Sequence, residues 1–318
     1  MHNNMDLVRV TEAAAIAASA WIGSGNKLEA DKAATDAMRD RLDRLNFAGT
    51  VKIGEGKKDQ SYGLFKGDLV GSGWVKHLPI GDLCRVRFHP DNNAAQCDIA
   101  LDPIDGTTPT VTSGPEAMSV IALAEKDAMY DTDEHYMLKL AVSGHVARKT
   151  NLYLSTPLPV LCKQVADVLN KPVDKLMVCI LNRPRHEEYV NQMRSLGVRI
   201  KLIQDCDISG AIAAADNGSI DMQFGIGGAP EAVVTAAAVK CLKGFFLAQI
   251  WDKDKGLTGD VFSHDDLVKS HCCFAATGIT DGSLLKGVSW NSRGPTTHSV
   301  FMRSESNTVR WIETRHGN

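Results

Sequence analysis

Apolar residues recur at helical spacing along residues 6–22, with alanines filling many of the positions between, and the run stops before Gly23-Ser24-Gly25. A second helix is predicted from about residue 29 to residue 45. There Ala30, Ala34, Met38 and Leu42 fall near one face, with Arg and Asp between them. Asp31 then belongs to its first turn, where the helix dipole favours a carboxylate. The pattern shortens to a strand at 50–53, which runs into Gly54-Glu55-Gly56. Residues 67–96, with their glycines, prolines and Asp91-Asn92-Asn93, read as a long irregular excursion. Cys97-Asp98-Ile99-Ala100-Leu101 then alternates as a strand does and delivers Asp102 at its end. Residues 118–124 give another apolar strand.

Later in the chain the rhythm changes. Strands predicted at 176–181, 198–203 and 220–224 alternate with helices after Pro184, Asp207 and Pro230. That alternation is the mark of an α/β layer with a largely parallel sheet. Residues 299–303 and 308–313 predict a hairpin around Ser304-Glu305-Ser306-Asn307. The fold class is α/β, mixing an α+β lobe with an α/β lobe. We expect one catalytic unit over residues 1–318, with a metal-binding lobe at about 1–150 and a substrate lobe at about 151–318.

Composition narrows the partners. A net charge of −3 supplies no field that would draw nucleic acid or an anionic membrane. No apolar run is long enough to span a bilayer. The opening Met1-His2-Asn3-Asn4 lacks the basic-then-apolar layout of a secretion signal, so a cytoplasmic protein is expected. Eight cysteines, at 84, 97, 162, 179, 206, 241, 272 and 273, include no C-x-x-C pair. Several lie in apolar stretches such as Met177-Val178-Cys179-Ile180-Leu181, where a reduced thiol behaves as a small hydrophobe.

Candidate chemistry is concentrated in Leu101-Asp102-Pro103-Ile104-Asp105-Gly106-Thr107-Thr108. A strand presents Asp102, Pro103 fixes a turn, and Asp105 follows, bringing two carboxylates to one sheet mouth. Gly106 permits a close backbone approach where a helix begins. Carboxylate oxygens are the hard donors that Mg2+ and Mn2+ prefer, and two such ions can clamp a phosphate and activate water. Glu231, after Gly227-Gly228-Ala229-Pro230, falls at a predicted helix start, where a carboxylate suits the dipole. Read alone it is equally an ordinary first-turn Glu.

Asp102-Pro103-Ile104-Asp105-Gly106-Thr107 resembles the metal-binding signature of the inositol-monophosphatase-like sugar phosphatases. Other segments follow in the order found in class II fructose-1,6-bisphosphatases. They are Arg9-Val10-Thr11-Glu12, Gly54-Glu55-Gly56 with Asp59, Asn182-Arg183-Pro184-Arg185-His186, Gly225 to Glu231 and Ala276 to Gly282. The resemblance, which spans nearly the whole chain, implies a layered αβαβα fold and hydrolysis of the 1-phosphate of fructose 1,6-bisphosphate. It implies Mn2+ or Mg2+, two or more ions per site, held by Asp31, Glu55, Asp102, Asp105 and Glu231. Thr107, Asp102 and Glu55 are then the catalytic groups. Substrate contacts are implied for Asp105, Gly106, Thr107, Tyr136, Arg183, Pro184, Arg185, Asp205, Cys206, Asp207 and Gly228. Lys27 is a further cation near the metals or a solvated loop lysine. The expected partner is a small sugar bisphosphate, bound by a homo-oligomer.

Three departures from the family pattern stand out. Lys57 replaces an acid after Gly-Glu-Gly, Asp59-Gln60-Ser61-Tyr62-Gly63-Leu64-Phe65 replaces a common Asp-Glu-Ala-Pro-Met-Leu-Tyr, and Cys206 replaces a glycine between two aspartates. The length of the excursion before Cys97 resembles that of enzymes also acting on sedoheptulose 1,7-bisphosphate. Competing readings are that activity, another small sugar or inositol phosphatase, and an inactive sugar-phosphate-binding paralogue.

Overall fold

The computed structural model describes residues 5–54, 63–77, 87–133 and 135–317. The chain opens with helices α1 (Asp6–Ser19) and α2 (Lys27–Leu42). Strands β1 (Ala48–Ile53), β2 (Leu69–Val70), β3 (Trp74–His77), β4 (Arg87–Pro90) and β5 (Gln96–Asp105) come next. The short helix α3 (Thr107–Thr112) precedes β6 (Met118–Glu125), β7 (Tyr136–Val142) and α4 (Gly144–Ala147). Then α5 (Leu158–Val168), β8 (Met177–Leu181), α6 (Glu187–Ser195), β9 (Arg199–Ile203), α7 (Asp207–Ala215), β10 (Met222–Gly228) and α8 (Ala229–Cys241) alternate. The chain finishes with β11 (Phe245–Asp252), β12 (Gly256–Ser263), α9 (His264–Leu267), β13 (Cys272–Gly278), β14 (Ser289–Asn291), β15 (Gly294–Arg303) and β16 (Thr308–Arg315).

Two sheets organise these elements. The first runs β14-β15-β13-β6-β5-β1-β2, with β16 paired to β15. The second runs β12-β11-β7-β10-β8-β9, and β3 and β4 form a separate hairpin. In β6, Val120, Ala122 and Ala124 face a core shared with α7, α8 and the second sheet, while Ile121 and Leu123 face α1 and α2. Both faces being covered explains why this strand is almost continuously apolar. Likewise β7 sends Met137 and Ala141 inward, and Leu138, Leu140 and Val142 outward onto α5 and α6. The layers are therefore helix, sheet, helix, sheet, helix. Alanines at 232, 236, 237 and 238, all fully buried, let α8 run between the two sheets.

The elements expected from the sequence are found close to where predicted, β7, α5 and β11 to β14 were not foreseen, and three further differences stand out. The second sheet is parallel only where β8 meets β9 and β10; β7, β11 and β12 pair antiparallel. Strand–helix alternation holds for residues 177–241 and stops there. The excursion at 67–96 contains three short strands, β2 to β4. Finally, α2 starts two residues earlier than predicted, because the Asn26 side chain accepts a hydrogen bond from Glu29 N (3.3 Å) and caps it. Asp31 consequently belongs to the second turn, not the first.

Candidate active site

A cleft of about 1170 Å3 opens where the ends of both sheets meet, and Asp31, Asp102, Asp105, Tyr136, Arg183, Arg185, Asp205, Cys206, Asp207, Gly228 and Glu231 all line it. The volume exceeds what one small metabolite needs. Thr107, Gly106, Pro184 and Lys27 stand behind or beside this lining. Glu55 lies outside the described residues, as does Lys57; Gly54, next to Glu55, lines the cleft.

Two aspartates three residues apart on a regular strand point to opposite faces. Here they do not. The β5–β6 register shifts between Asp102↔Val120 and Asp105↔Met118, so three steps on β5 match two on β6. This extra residue is a β-bulge that returns Asp105 to the face of Asp102. Pro103 suits the bulge because it has no N–H to contribute to the ladder. Ile104 N donates to Asp102 Oδ1 at 2.9 Å, which ties the bulge to the carboxylate it serves.

Gly106 then caps α3 with φ of +100°, and a Cβ there would stand 2.4 Å from Cys206 Sγ. Only glycine satisfies both constraints. Thr107 is the first residue of α3 and not its cap, so its hydroxyl is available elsewhere: Oγ1 donates to Asp31 Oδ1 at 2.9 Å. Lys27 Nζ donates to Thr108 Oγ1 at 2.8 Å, which fixes its charge near Asp31 and Asp205. Glu231 occupies the first turn of α8, with Gly228 as cap and Pro230 preceding it.

The acids crowd one another. Burial, then Glu231, Asp31 and Asp205, push the Asp102 carboxyl up to about 7 despite the Ile104 hydrogen bond. Burial, then Asp102, Asp207 and Glu231, hold Asp105 well above the carboxylate range. Burial also raises Asp31 against the opposing effects of Thr107 and Lys27. Asp105 Oδ2 is buried with no hydrogen-bond partner among the described residues. Clustered carboxylate oxygens with an unsatisfied buried acceptor fit divalent cations, which would relieve both repulsion and desolvation. Among the described residues no three such groups enclose an ion by themselves.

Two arginines line the same cleft. Arg183 Nη2 donates to Asp205 Oδ1 at 2.6 Å. Arg185 donates through Nε and Nη2 to Ile226 O, at 3.1 and 2.8 Å, and its guanidinium lies 4.9 Å from the Tyr136 ring centre. Trp251 meets Tyr136 edge-on at 6.2 Å. Asp207 pairs with Lys139, whose Nζ lies 2.8 Å from Oδ2 and which is 1% exposed. Sequence reasoning missed Lys139, Trp251 and the lysines at 52 and 66. Lys139 carried a signal, a lone charge inside Met137-Leu138-Lys139-Leu140-Ala141-Val142, because a fully buried lysine requires an acidic partner.

Cys206 adopts φ of +66° and ψ of +50°, left-handed values that cost an L-residue about 1–2 kcal/mol. Its thiol is retained by burial and by donating to Asp105 O at 3.1 Å. Cys206→Gly is therefore expected to leave unfolding free energy within about 1 kcal/mol of the parent, because relief of strain offsets lost packing and added chain entropy. Cys206→Val, which combines β-branching with positive φ beside Gly106, should lower it by about 3 kcal/mol. Urea denaturation of the three proteins distinguishes these outcomes.

Comparison with known proteins places the whole chain in one family. A family described as bacterial fructose-1,6-bisphosphatase, glpX-encoded, matches residues 2–316. Proteins of Microcystis aeruginosa and Synechocystis, both named D-fructose 1,6-bisphosphatase class 2/sedoheptulose 1,7-bisphosphatase, are 34% identical over 337 residues, covering 98% of this chain and 95% of theirs. A Synechococcus protein of the same name is 34% identical over 338 residues, covering 98% and 94%. The chain belongs to the glpX-type bacterial fructose-1,6-bisphosphatase family, whose members are phosphoric monoester hydrolases.

Proposed function

We propose that this chain hydrolyses the 1-phosphate of fructose 1,6-bisphosphate, releasing fructose 6-phosphate and inorganic phosphate. The observation that carries the reading is that one cleft is lined both by Asp102, Asp105 and Glu231, with the Asp31–Thr107 pair, and by Arg185 stacked over Tyr136. The clustered acids suit the phosphate that is cleaved and the arginine the phosphate that is kept. Asp31, Asp102, Asp105 and Glu231, with Glu55, would hold Mn2+ or Mg2+. When bound, such ions supply charge stabilisation at the phosphate and a lowered pKa for the attacking water.

The chain's own groups provide orientation. Asp31 Oδ1 holds the Thr107 proton, which leaves the hydroxyl's lone pairs to accept from a water and aim it in line with the 1-phosphate. Lys139 pairs with Asp207 and Arg183 with Asp205, and both carboxylates suit sugar hydroxyls. The wide cleft also accommodates a seven-carbon sugar, and sedoheptulose 1,7-bisphosphate is proposed as a second substrate in view of the relatives' names. The setting we propose is gluconeogenesis, carried out by a cytoplasmic homo-oligomer. The seven described cysteines are all free and buried, which suits a reducing compartment. Among the described residues no helix is long and apolar enough to cross a membrane.

Phosphate release from the purified protein should stop in excess chelator and return with Mn2+ or Mg2+; undiminished turnover in chelator contradicts the carboxylate assignment. Thr107→Ala should lower kcat by about 100-fold or more with little change in KM, because it removes an orienting hydroxyl and leaves the carboxylates in place. Steady-state kinetics at saturating metal reads both values.

The substrate assignment rests on a comparison of two sugars. Fructose 1,6-bisphosphate should exceed fructose 1-phosphate in kcat/KM, since the remote phosphate supplies binding energy that aligns the reacting one. Arg185→Ala should remove roughly thirtyfold of that advantage, equivalent to about 2 kcal/mol for a charge-assisted pair. Equal wild-type rates for the two sugars would identify a monophosphatase.

A further inference from the structure

Beside the Arg185 contact lies a histidine that none of the proposed chemistry uses. Strand β10 pairs with β8 only at Met222↔Val178 and Gln223↔Cys179, and β8 ends at Leu181. At Ile226, therefore, the backbone on that side has no strand partner. Two consecutive side chains take its place. Arg185 donates through Nε and Nη2 to Ile226 O, and Ile226 N donates to His186 Nε2 at 2.7 Å. A backbone N–H can only donate, so Nε2 is the acceptor and the imidazole proton is on Nδ1, which donates to Leu181 O at 2.7 Å. The ring is fully buried, and burial lowers its pKa, which favours this neutral form. Gly225, with φ of +142°, leaves room for it: a Cβ there would lie 3.3 Å from the ring.

The residue whose carbonyl accepts from Arg185 is thus the residue whose N–H is held by His186. Arginine presents five N–H donors in a rigid fork, and those engaged by Ile226 O set the plane in which the others are offered. Tyr136 bounds the same guanidinium, and Trp251 in turn supports Tyr136. A long side chain held this way loses less freedom when an anion arrives.

We propose that His186, in its Nδ1–H form, is a positioning residue for Arg185 and so sets the preference for a substrate bearing a second phosphate. The inference rests on the bisphosphatase reading above. His186 touches neither substrate nor reacting atoms in this scheme; it acts through Ile226.

His186→Asn keeps a donor for Leu181 O and gives up the acceptor for Ile226 N, whereas His186→Gln can place an acceptor near the Nε2 position. The quantity to measure is the ratio of kcat/KM for fructose 1,6-bisphosphate to that for fructose 1-phosphate. The Asn variant should lose about tenfold in this ratio, chiefly through KM for the bisphosphate, and the Gln variant should regain most of it. Adding Arg185→Ala to the Asn variant should lower the ratio no further than Arg185→Ala alone. A wild-type preference that the Asn variant retains in full, or losses that multiply in the double variant, would overturn the role of His186 while leaving the bisphosphatase reading intact. Equal wild-type rates for both sugars would overturn that reading and the inference together. A measurement on the unmodified protein needs no variant to fold. In 15N NMR the His186 ring should appear as the neutral Nδ1–H form and shift when fructose 6-phosphate binds; ring signals unmoved at saturation overturn the proposal.

Discussion

Too many carboxylates share one poorly solvated cleft, and much of the surrounding structure answers that single electrostatic problem. Asp31, Asp102, Asp105, Asp205, Asp207 and Glu231 come from α2, β5, α7, α8 and the loop before α7, all converging where the two sheets end. Burial opposes the charge at Asp31, Asp102, Asp105 and Asp205, and neighbouring acids add to that at Asp102 and Asp105. Lys139 and Arg183 offset Asp207 and Asp205 directly, and Lys27 acts on Asp31 and Asp205 from the rim. Among the described residues no cation pairs with Asp102 or Asp105, and the repulsion remaining there is the demand that divalent ions can meet. The fold separates the acids into a subset neutralised by its own side chains and a subset left for ligands.

That division follows from backbone geometry as much as from residue type. The bulge at Pro103-Ile104 places two acids on one face, and the proline that makes it also prevents a regular ladder. Gly106 brings α3 against Cys206, and Thr107 reaches Asp31 because glycine, not threonine, caps the helix. Along β10, side chains of a turn substitute for a missing strand. In each case a break in regular pairing is what presents a functional group.

Much of this was legible in the sequence. The apolar run before Asp102, the helical spacing of Ala30 to Leu42 and the glycine-rich approach to Glu231 each located an element and a carboxylate. What escaped notice has physical causes. Lys139 interrupts the apolar alternation of β7, so the strand is obscured by the ion pair it carries. The antiparallel order of β7, β11 and β12 depends on long-range pairing that no local period encodes. The helix start at Lys27 depended on an Asn26 cap that competes with the apolar pattern. The partners of Arg183 and Arg185 lie 22 and 41 residues away, and reading the arginines as substrate contacts left no sign that protein atoms already engaged them.

The first sheet takes its strands from two distant stretches of chain, first β1, β2, β5 and β6 and then β13 to β16, while the second is built entirely from what lies between. During synthesis the second sheet can be completed as soon as β12 is made. Its neighbour must wait with one edge of β6 open, an edge of seven consecutive buried residues from Met118 to Ala124. Such an edge is a template for adding a strand from another chain. The aspartates of β5 therefore sit next to a strand whose partner arrives only after nearly 150 further residues, Glu125 to Cys272, have been made. Loop closure over that distance is slow compared with hairpin formation. A nascent chain is thus most exposed to misassembly while its catalytic sheet is half built, and the rate of elongation past β12 governs how long that interval lasts.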